Sequence, residues 1–450
     1  MKRPNLIFLL LTIPCGLFPQ GSLLDQYVRE GISNNLALKQ KEQNYEKSLK
    51  VLSEARSLFY PDISLYARYS IARGGRIIEF PAGDMLNPVY QTLNYLTQTS
   101  LFPQIENQEF RFLRPTEHDT KVSLIQPIFD PKIFYNQKIR ADLMNAQRAD
   151  ADTYRRTLVA EIKSAYFNYL KTLRLSSLMQ ETSKLLAENL RVNQSLYDNQ
   201  KVTIDNIYLA RAELSKLDQQ SAEIDKSQQV AASYFNFLLN RPLDSAIIED
   251  RFYDTAFATV DVKVAEQSAL NNREELSMLE DYLSAAEKNV SLNRSQALPS
   301  IYGAVDYGFQ GEHYRFTEKD DYLLASVVLR WNISHGFQNR ARISQAQVDR
   351  EIRETQIQEV KKQISLEVIQ AYYDLQASEK SILAAKDAAN SATDAFRMIS
   401  RKFGEGQASL VEYISARTSM TGADAALIIS KYDYHIKYAE FERITGLYVF

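Results

Sequence analysis

The chain states one long pattern twice, and that constrains its fold more than any other feature. Tyr197-DNQKVTIDNIYLAR and Phe403-GEGQASLVEYISAR share an outline 206 residues apart. Tyr197 answers Phe403, Thr203 answers Ser409, Ile207 answers Tyr413, and Ala210-Arg211 answers Ala416-Arg417. Upstream, Leu38, Arg56 and Pro61 answer Leu276, Arg294 and Pro299 at an offset of 238, while Ala165-Tyr166 answers Ala371-Tyr372 at 206. The offset falls across one segment, 73–118, which reads as a long irregular loop whose counterpart is only about 311–320. A chain that repeats itself at such range is built from two copies of one plan. The copies are placed at 22–240 (repeat 1) and 262–450 (repeat 2), joined by a linker or equatorial segment at 241–261.

Each copy reads helix, strand, strand, long helix, turn, helix. Repeat 1 opens with a helical pattern over 22–58, and Tyr60-Pro61 ends it. Strands follow at about 61–72 and 120–129, then a helix from Pro131 to Tyr197 and another from Ile204 to Leu239. Repeat 2 gives a helix at 262–296, strands at about 299–310 and 321–333, a helix from Gln338 to Phe403 and a last one to about Ile444. Period-2 alternation marks the strands. Ile63, Leu65, Ala67, Tyr69 and Ile71 share one face; so do Val122, Leu124 and Ile128; so do Ile301, Val305, Tyr307 and Phe309; and so do Leu323, Ala325, Val327, Leu329, Trp331 and Ile333. With only 14 glycines and 12 prolines in 450 residues, little interrupts the long helices.

A helix from 131 to 197 is about 100 Å long, more than a single globular core covers. Leu175, Leu178, Thr182, Leu185, Asn189, Val192 and Leu196 step by 3 and 4, as do Ile382, Ala385, Ala389, Ala392, Phe396, Ile399 and Phe403. That spacing makes a left-handed supercoil. The strands have bilayer-crossing length, one apolar face and one mixed polar face. Four strands cannot close a barrel, and an open sheet in lipid strands its edge N–H and C=O groups. Closure therefore asks for several copies. Two give eight strands, a barrel filled by its own side chains; three give twelve and leave a lumen.

The first 21 residues read as an export signal, with Lys2 and Arg3 before the apolar stretch Leu6–Ile13. The one cysteine, Cys15, falls there, which leaves the exported chain without disulfides, thiolate metal sites or cysteine nucleophiles. A net charge of −3 gives no electrostatic case for nucleic acid. No catalytic or phosphate-binding signature occurs, and His118, His313, His335 and His435 lack metal-ligand spacing. No enzyme activity, cofactor or metal is expected. A soluble periplasmic coiled-coil adaptor or scaffold is the alternative class, since it shares long helices and a duplication.

Export signal, duplication, paired long helices, alternating strands and the turn motif together resemble the TolC-type outer membrane efflux proteins. The sharpest pieces are Phe403-x-x-Gly406 through Ala416-Arg417, its repeat-1 copy Tyr197 through Arg211, and the strand ends Tyr60-Pro61 and Ile125-QPIFD. The resemblance implies a homotrimer in the outer membrane: a 12-stranded β-barrel, four transmembrane strands from each chain, continued by a periplasmic α-barrel of coiled-coil helices. It implies a passive exit duct of a tripartite efflux or type I secretion system, fed by an inner-membrane transporter of RND or ABC type through a periplasmic adaptor. The turns (Tyr197, Gln200, Ala210, Arg211, Phe403, Gly404, Gly406, Ala416 and Arg417) would be the periplasmic tip and the place of adaptor docking. Glu412 matches an acidic aperture position, Ser415 stands where a second acid is usual, and Asn206 replaces the acid of a closing salt bridge, with Asp205 one residue away. Pro61, Pro127, Pro299 and Trp331 would mark the strand ends. Gly404 and Gly406 are expected to supply positive φ at the turn. A ring of Glu412 carboxylates would raise their pKa values.

Overall fold

The computed structural model describes residues 23–249, 257, 260–334 and 336–447. The export signal expected at 1–21, with Cys15, lies outside the described residues, as do His335 and part of the 241–261 linker. In chain order the first half gives α1 (Leu23–Asn34), α2 (Leu36–Ser57), β1 (Asp62–Ile71), β2 (Ile77–Phe80), α3 (Ala82–Thr97), β3 (Gln108–Arg111), β4 (Thr116–Phe129), α4 (Pro131–Asp198) and α5 (Ile204–Leu238). The second half gives α6 (Val262–Asn272), α7 (Glu274–Ser295), β5 (Ser300–Gly311), β6 (Asp321–Arg330), α8 (Gln338–Gly404) and α9 (Leu410–Thr445). Two compact units result, and both draw on both halves of the sequence. One takes the described residues of 1–49, 142–284 and 351–450, the other 50–141 and 285–350.

The helical unit holds two hydrophobic clusters that answer each other position for position. In the first, Leu38, Leu158, Ile162, Ala165, Phe235 and Leu238 are buried; in the second, Leu276, Ile364, Val368, Ala371, Phe441 and Ile444 take the equivalent places. The same periodic apolar positions therefore build the same local core twice. Ion pairs and a stacked ring tie the halves together: Lys163 to Glu442 at 2.6 Å, Arg156 to Glu274 at 2.6 Å, and Phe167 on His435 with ring centres 4.8 Å apart. The described start of the linker is pinned to the first core, where Tyr27 Oη accepts from the Ile248 N–H and Tyr166 Oη donates to the Ile248 carbonyl.

The opening helix of each half is broken, where the sequence pattern reads continuous. Asn35 ends α1, and its side-chain oxygen accepts the N–H groups of Ala37 and Leu38, both at 3.0 Å, to cap α2. Its amide donates to the Leu238 carbonyl. Arg273, 238 residues later, breaks α6 from α7 and sends its guanidinium to Glu275 and Glu367. In α4 the 3.5-residue spacing holds, with its phase moved by one position. The buried stripe is Thr172, Ser176, Met179, Thr182, Leu186, Asn189 and Asn193, while Leu185 is exposed. Leu175, Leu178, Val192 and Leu196 sit half-buried beside it.

The other unit is built on an antiparallel four-stranded sheet in the order β1-β4-β5-β6. Registers put Ile63, Leu124, Val305 and Ala325 in one cross-strand row, and Leu65, Val122, Tyr307 and Leu323 in the next. This face is apolar and bare: Leu65 is 74 % and Leu323 71 % exposed. The opposite face carries Ser64, Ser123, Asp306 and Leu324 in one row and Tyr66, Lys121, Gly308 and Tyr322 in another. Strand β6 ends at Arg330, so Trp331 and Ile333 lie beyond the strand and not on its apolar face.

Segment 73–118 is not an irregular loop. It holds the β2–β3 hairpin, helix α3 and the first turn-side residues of β4, which begins at Thr116. Asn87 and Asn94, one heptad apart on α3, each clamp the returning backbone. Asn87 exchanges hydrogen bonds with both backbone groups of Ile105 at 2.9 Å, and Asn94 does the same with Phe102 at 2.7 and 3.1 Å. A Cβ on Gly83 would meet the Ile105 carbonyl oxygen at 2.5 Å, so only glycine lets α3 and the returning segment approach this closely.

Candidate functional site

The two interhelical turns share one backbone design. After α4, Gln200 N–H donates to the Tyr197 carbonyl and Lys201 N–H to the Leu196 carbonyl, both at 2.8 Å. After α8, Gly406 N–H donates to Phe403 at 3.0 Å and Gln407 N–H to Lys402 at 2.7 Å. The six-residue closure is a Schellman motif, which needs a left-handed residue at its centre. Gly406 has φ +72° and its equivalent Gln200 has φ +59°. Gln200 thus holds a conformation that ordinarily selects glycine. Gly404 does not: it is the last residue of α8, and positive φ belongs to Gly406 alone of the pair.

The next helices start differently. Ser409 caps α9 with a complete capping box: its hydroxyl accepts from the Glu412 N–H at 3.2 Å, and the Glu412 carboxylate accepts from the Ser409 N–H at 2.7 Å. The Ser409 N–H and the Ser409 hydroxyl, which donates to the same carboxylate oxygen at 2.8 Å, and then the charge of Lys402, hold the Glu412 carboxyl below the usual carboxylate range. Within one chain Glu412 is committed to its own helix end. Thr203 takes the same extended backbone before α5 but makes no side-chain cap. Asp205 is exposed and Asn206 half-buried at the start of α5, and Ser415 is exposed on α9. Among the described residues no hydrogen bond or ion pair joins Asp205 or Asn206 to Glu412 or Ser415. Behind the second turn, Phe403 and Phe396 pack on Tyr413 with ring centres 4.8 and 5.4 Å away, and burial pushes the Tyr413 phenol up. Tyr197 in the first turn is exposed, and Ile207 there is buried.

The duplicated Ala-Arg pair diverges. Ala210 is fully buried and Arg211 exposed, while Ala416 is half-buried and Arg417 only 4 % exposed. The Arg417 guanidinium stands 4.0 Å from Glu213 on α5, and its Nε and Nη1 have no protein partner, nor does the hydroxyl of Thr421 one turn on. Burial lowers the Arg417 pKa, against the pull of Glu213. Arg417 and Thr421 line a cleft of about 410 Å³ whose other walls include Met179, Leu217 and Ile224.

In the sheet unit, Lys121 donates to Asp306 at 2.7 Å, Ser123 donates to the other oxygen of Asp306 at 2.5 Å, and Tyr322 donates to Asp119 at 3.0 Å. One face therefore presents a polar network across three strands. Pro61 and Pro299 stand immediately before β1 and β5. Pro127 lies inside β4 at a register irregularity between Pro127 and Phe129, the place a strand tolerates a missing N–H. Trp331 follows β6, and its indole donates to the Ala297 carbonyl at 3.0 Å.

The family described as Outer membrane efflux protein matches residues 265–447. Outer membrane protein TolC of Salmonella enteritidis is 21 % identical over 465 aligned positions, covering 98 % of this chain and 86 % of that protein. TolC of Escherichia coli K12 is 20 % identical and covers 99 % and 87 %. Over residues 265–447 the chain matches the outer membrane efflux family, and along nearly its whole length it is similar to TolC. Solved channels share the fold: the Campylobacter jejuni CmeC outer membrane channel superposes with a TM-score of 0.76 at 16 % identity, over 94 % of this chain and 85 % of that one. The Vibrio cholerae outer membrane protein VceC gives 0.75 at 14 %, over 94 % and 96 %.

Glu412 and Ser415 on α9 and Asp205 and Asn206 on α5 follow equivalent turns. Glu213 and Thr421 lie outside the motif spacing, as do Asp119, Lys121, Ser123, Asp306 and Tyr322 of the polar network. Ser409 is legible in the sequence, because Ser-x-x-Glu before an apolar run is the capping-box pattern. Glu213 carries no such mark, since only the packing of α5 against α9 brings it to Arg417.

Proposed function

We infer that this chain is an outer-membrane efflux duct with a periplasmic extension, and that three copies form it. As a channel-family protein it carries no chemistry of its own. The observation that carries the reading is the sheet: one face apolar and exposed, the other polar and cross-linked, with β1 and β6 as free edges. Lipid accepts the first face and water the second. Both edges must be paired before the sheet can sit in hydrocarbon. Joining β1 of one copy to β6 of the next closes a ring, and three copies give about twelve strands around an open lumen. The helices support this. Beside the buried stripe of α4 runs a second row at the same spacing, Leu175, Leu178, Leu185, Val192 and Leu196, suited to a further helix neighbour.

On this reading repeats 22–240 and 262–450, joined by 241–261, each supply one hairpin to the barrel and one coiled coil to the wall. The turns at Tyr197–Arg211 and Phe403–Arg417 form the periplasmic tip. A periplasmic adaptor docks there and couples the duct to an inner-membrane transporter of RND or ABC type. Glu412, Ser415, Asp205 and Asn206 line the entrance, where Asn206 supplies no charge to a closing salt bridge. The test is fractionation, native mass and planar-bilayer conductance of one preparation. The expected result is a carbonate-resistant outer-membrane trimer with an ohmic pore. A chain that washes from the membrane as a monomer would be a soluble adaptor or scaffold instead.

A further inference from the structure

Helices α5 and α9 hold a buried cation that packing alone does not require. Arg417 makes its polar contacts through Nη2, at 3.4 Å from the Thr418 hydroxyl and 4.0 Å from Glu213. Its Nε and Nη1, and the Thr421 hydroxyl one turn on, find no protein partner, and both residues line the cleft of about 410 Å³. Burying a cation short of partners is costly, and an apolar side chain would avoid the cost. The repeated motif does not impose it: Arg211 and Ser215, which answer Arg417 and Thr421 at the 206-residue offset, are both exposed. The rest of the lining includes buried Met179 and Leu217, with Ile224 packed on them. Gly422 keeps the α9 side open, since a Cβ there would meet nothing within 4 Å. A cleft of this volume is of the size that holds a small ligand.

We propose that this cleft binds an amphipathic monocarboxylate, its head held by the Arg417 guanidinium and the Thr421 hydroxyl and its aliphatic body laid on Met179, Leu217 and Ile224. Charge decides the class. Lys216, Glu213 and Glu223 also line the cleft, and Glu223 is taken up by Lys226. Arg417 and Lys216 then face Glu213, a surplus of one positive charge. That balance suits a monoanion and disfavours a phosphate dianion beside Glu213. Both ends of the ligand are needed. A bare carboxylate such as acetate would leave the apolar wall wet, and an uncharged chain would leave the guanidinium unpaired. All these residues belong to one chain and one compact unit, so the site needs no neighbouring copy. Since α5 and α9 both furnish walls, a bound molecule ties the two helices together about two turns behind the Ser409 cap.

Equilibrium dialysis of radiolabelled decanoate against the full-length protein in nanodiscs tests this, with protein-free nanodiscs subtracted for partition into lipid. The expected result is saturable binding of one decanoate per chain. Arg417→Met should weaken it about tenfold or more through loss of the charge-assisted hydrogen bonds, and Thr421→Val by roughly threefold. Arg417→Lys should keep part of the affinity, and Ser215→Ala, the matching position in repeat 1, should leave it unchanged. Acetate, decyltrimethylammonium and inorganic phosphate should not compete. Circular dichroism and native mass on the same samples show that each variant is folded. Equal binding by the native chain and folded Arg417→Met overturns the site, as does equal competition by phosphate or by decyltrimethylammonium. A folded native preparation without saturable binding also overturns it, including one in which a neighbouring copy covers the cleft, and leaves the duct standing.

Discussion

Two glycines separated by one residue should respond to alanine with opposite sign. Gly406 sits at φ +72° and its added Cβ would meet nothing within 4 Å, so the cost of Gly406→Ala is purely conformational. Placing an L-residue in the left-handed region costs about 1–2 kcal/mol. Gly404 is helical, at the end of α8, and its Cβ position is equally open. There alanine removes backbone freedom from the unfolded chain and gains up to about 1 kcal/mol. The assay is native-state hydrogen exchange at Gln407, whose N–H closes the turn on the Lys402 carbonyl. When opening is in rapid equilibrium, a change of 1–2 kcal/mol appears as roughly a 5–30-fold change in exchange. Gly406→Ala should speed exchange by that factor and Gly404→Ala should slow it. Gln200→Gly in the first turn should slow exchange at Lys201, by less, because glycine returns part of the gain as unfolded-state entropy. If both alanine variants moved Gln407 in the same direction, backbone strain would not govern the turn.

Three other outcomes follow from the same geometry. Ser409→Ala should loosen the start of α9 by about 1 kcal/mol, seen as faster proteolysis at the turn. Because the Glu412 pKa is lowered in the fold, its contribution is present above the ordinary carboxylate pKa and is lost as pH falls through the folded value; Glu412→Gln should flatten that acid dependence of tip exchange. Arg417→Met should be neutral or raise thermal stability by up to a few kcal/mol, since it removes a buried cation whose Nε and Nη1 have no partner, while Glu213→Ala should lower stability. Asp306→Asn leaves Lys121 without its carboxylate on the polar face, and should shift the reversal potential in a salt gradient toward anions.

The periodicities that made this fold legible are those enforced along whole elements. Strand alternation and the 3.5 spacing of α8 recur along whole elements, and the turn motif is stated twice, so no single residue decides them. What escaped the sequence was decided by contacts across long separations. Asn35 reads as an ordinary polar helix residue until its amide finds the Leu238 carbonyl, 203 residues on. The phase of the α4 stripe turned on which helix lay beside it, and polar Thr182 and Asn189 belong to both candidate stripes. Arg211 and Arg417 occupy the same motif position, and only the opposing helix makes one exposed and the other buried. The ordered insertion was hidden for a related reason. Its asparagines look like loop residues, yet they fasten α3 to a stretch with no regular structure of its own.

In the three-copy duct proposed above, the edges at β1 and β6 would also set how a damaged copy behaves among sound ones. Each ring would depend on every junction in turn, with no spare strand to bridge a gap. A variant sound in all else but faulty along β1 would enter assemblies through β6 and leave them unsealed. Expressed at parity with the native chain, it would spare only about one ring in eight, the cube of one half for a three-membered cycle. Loss of one edge would thus be felt genetically as interference rather than as simple absence.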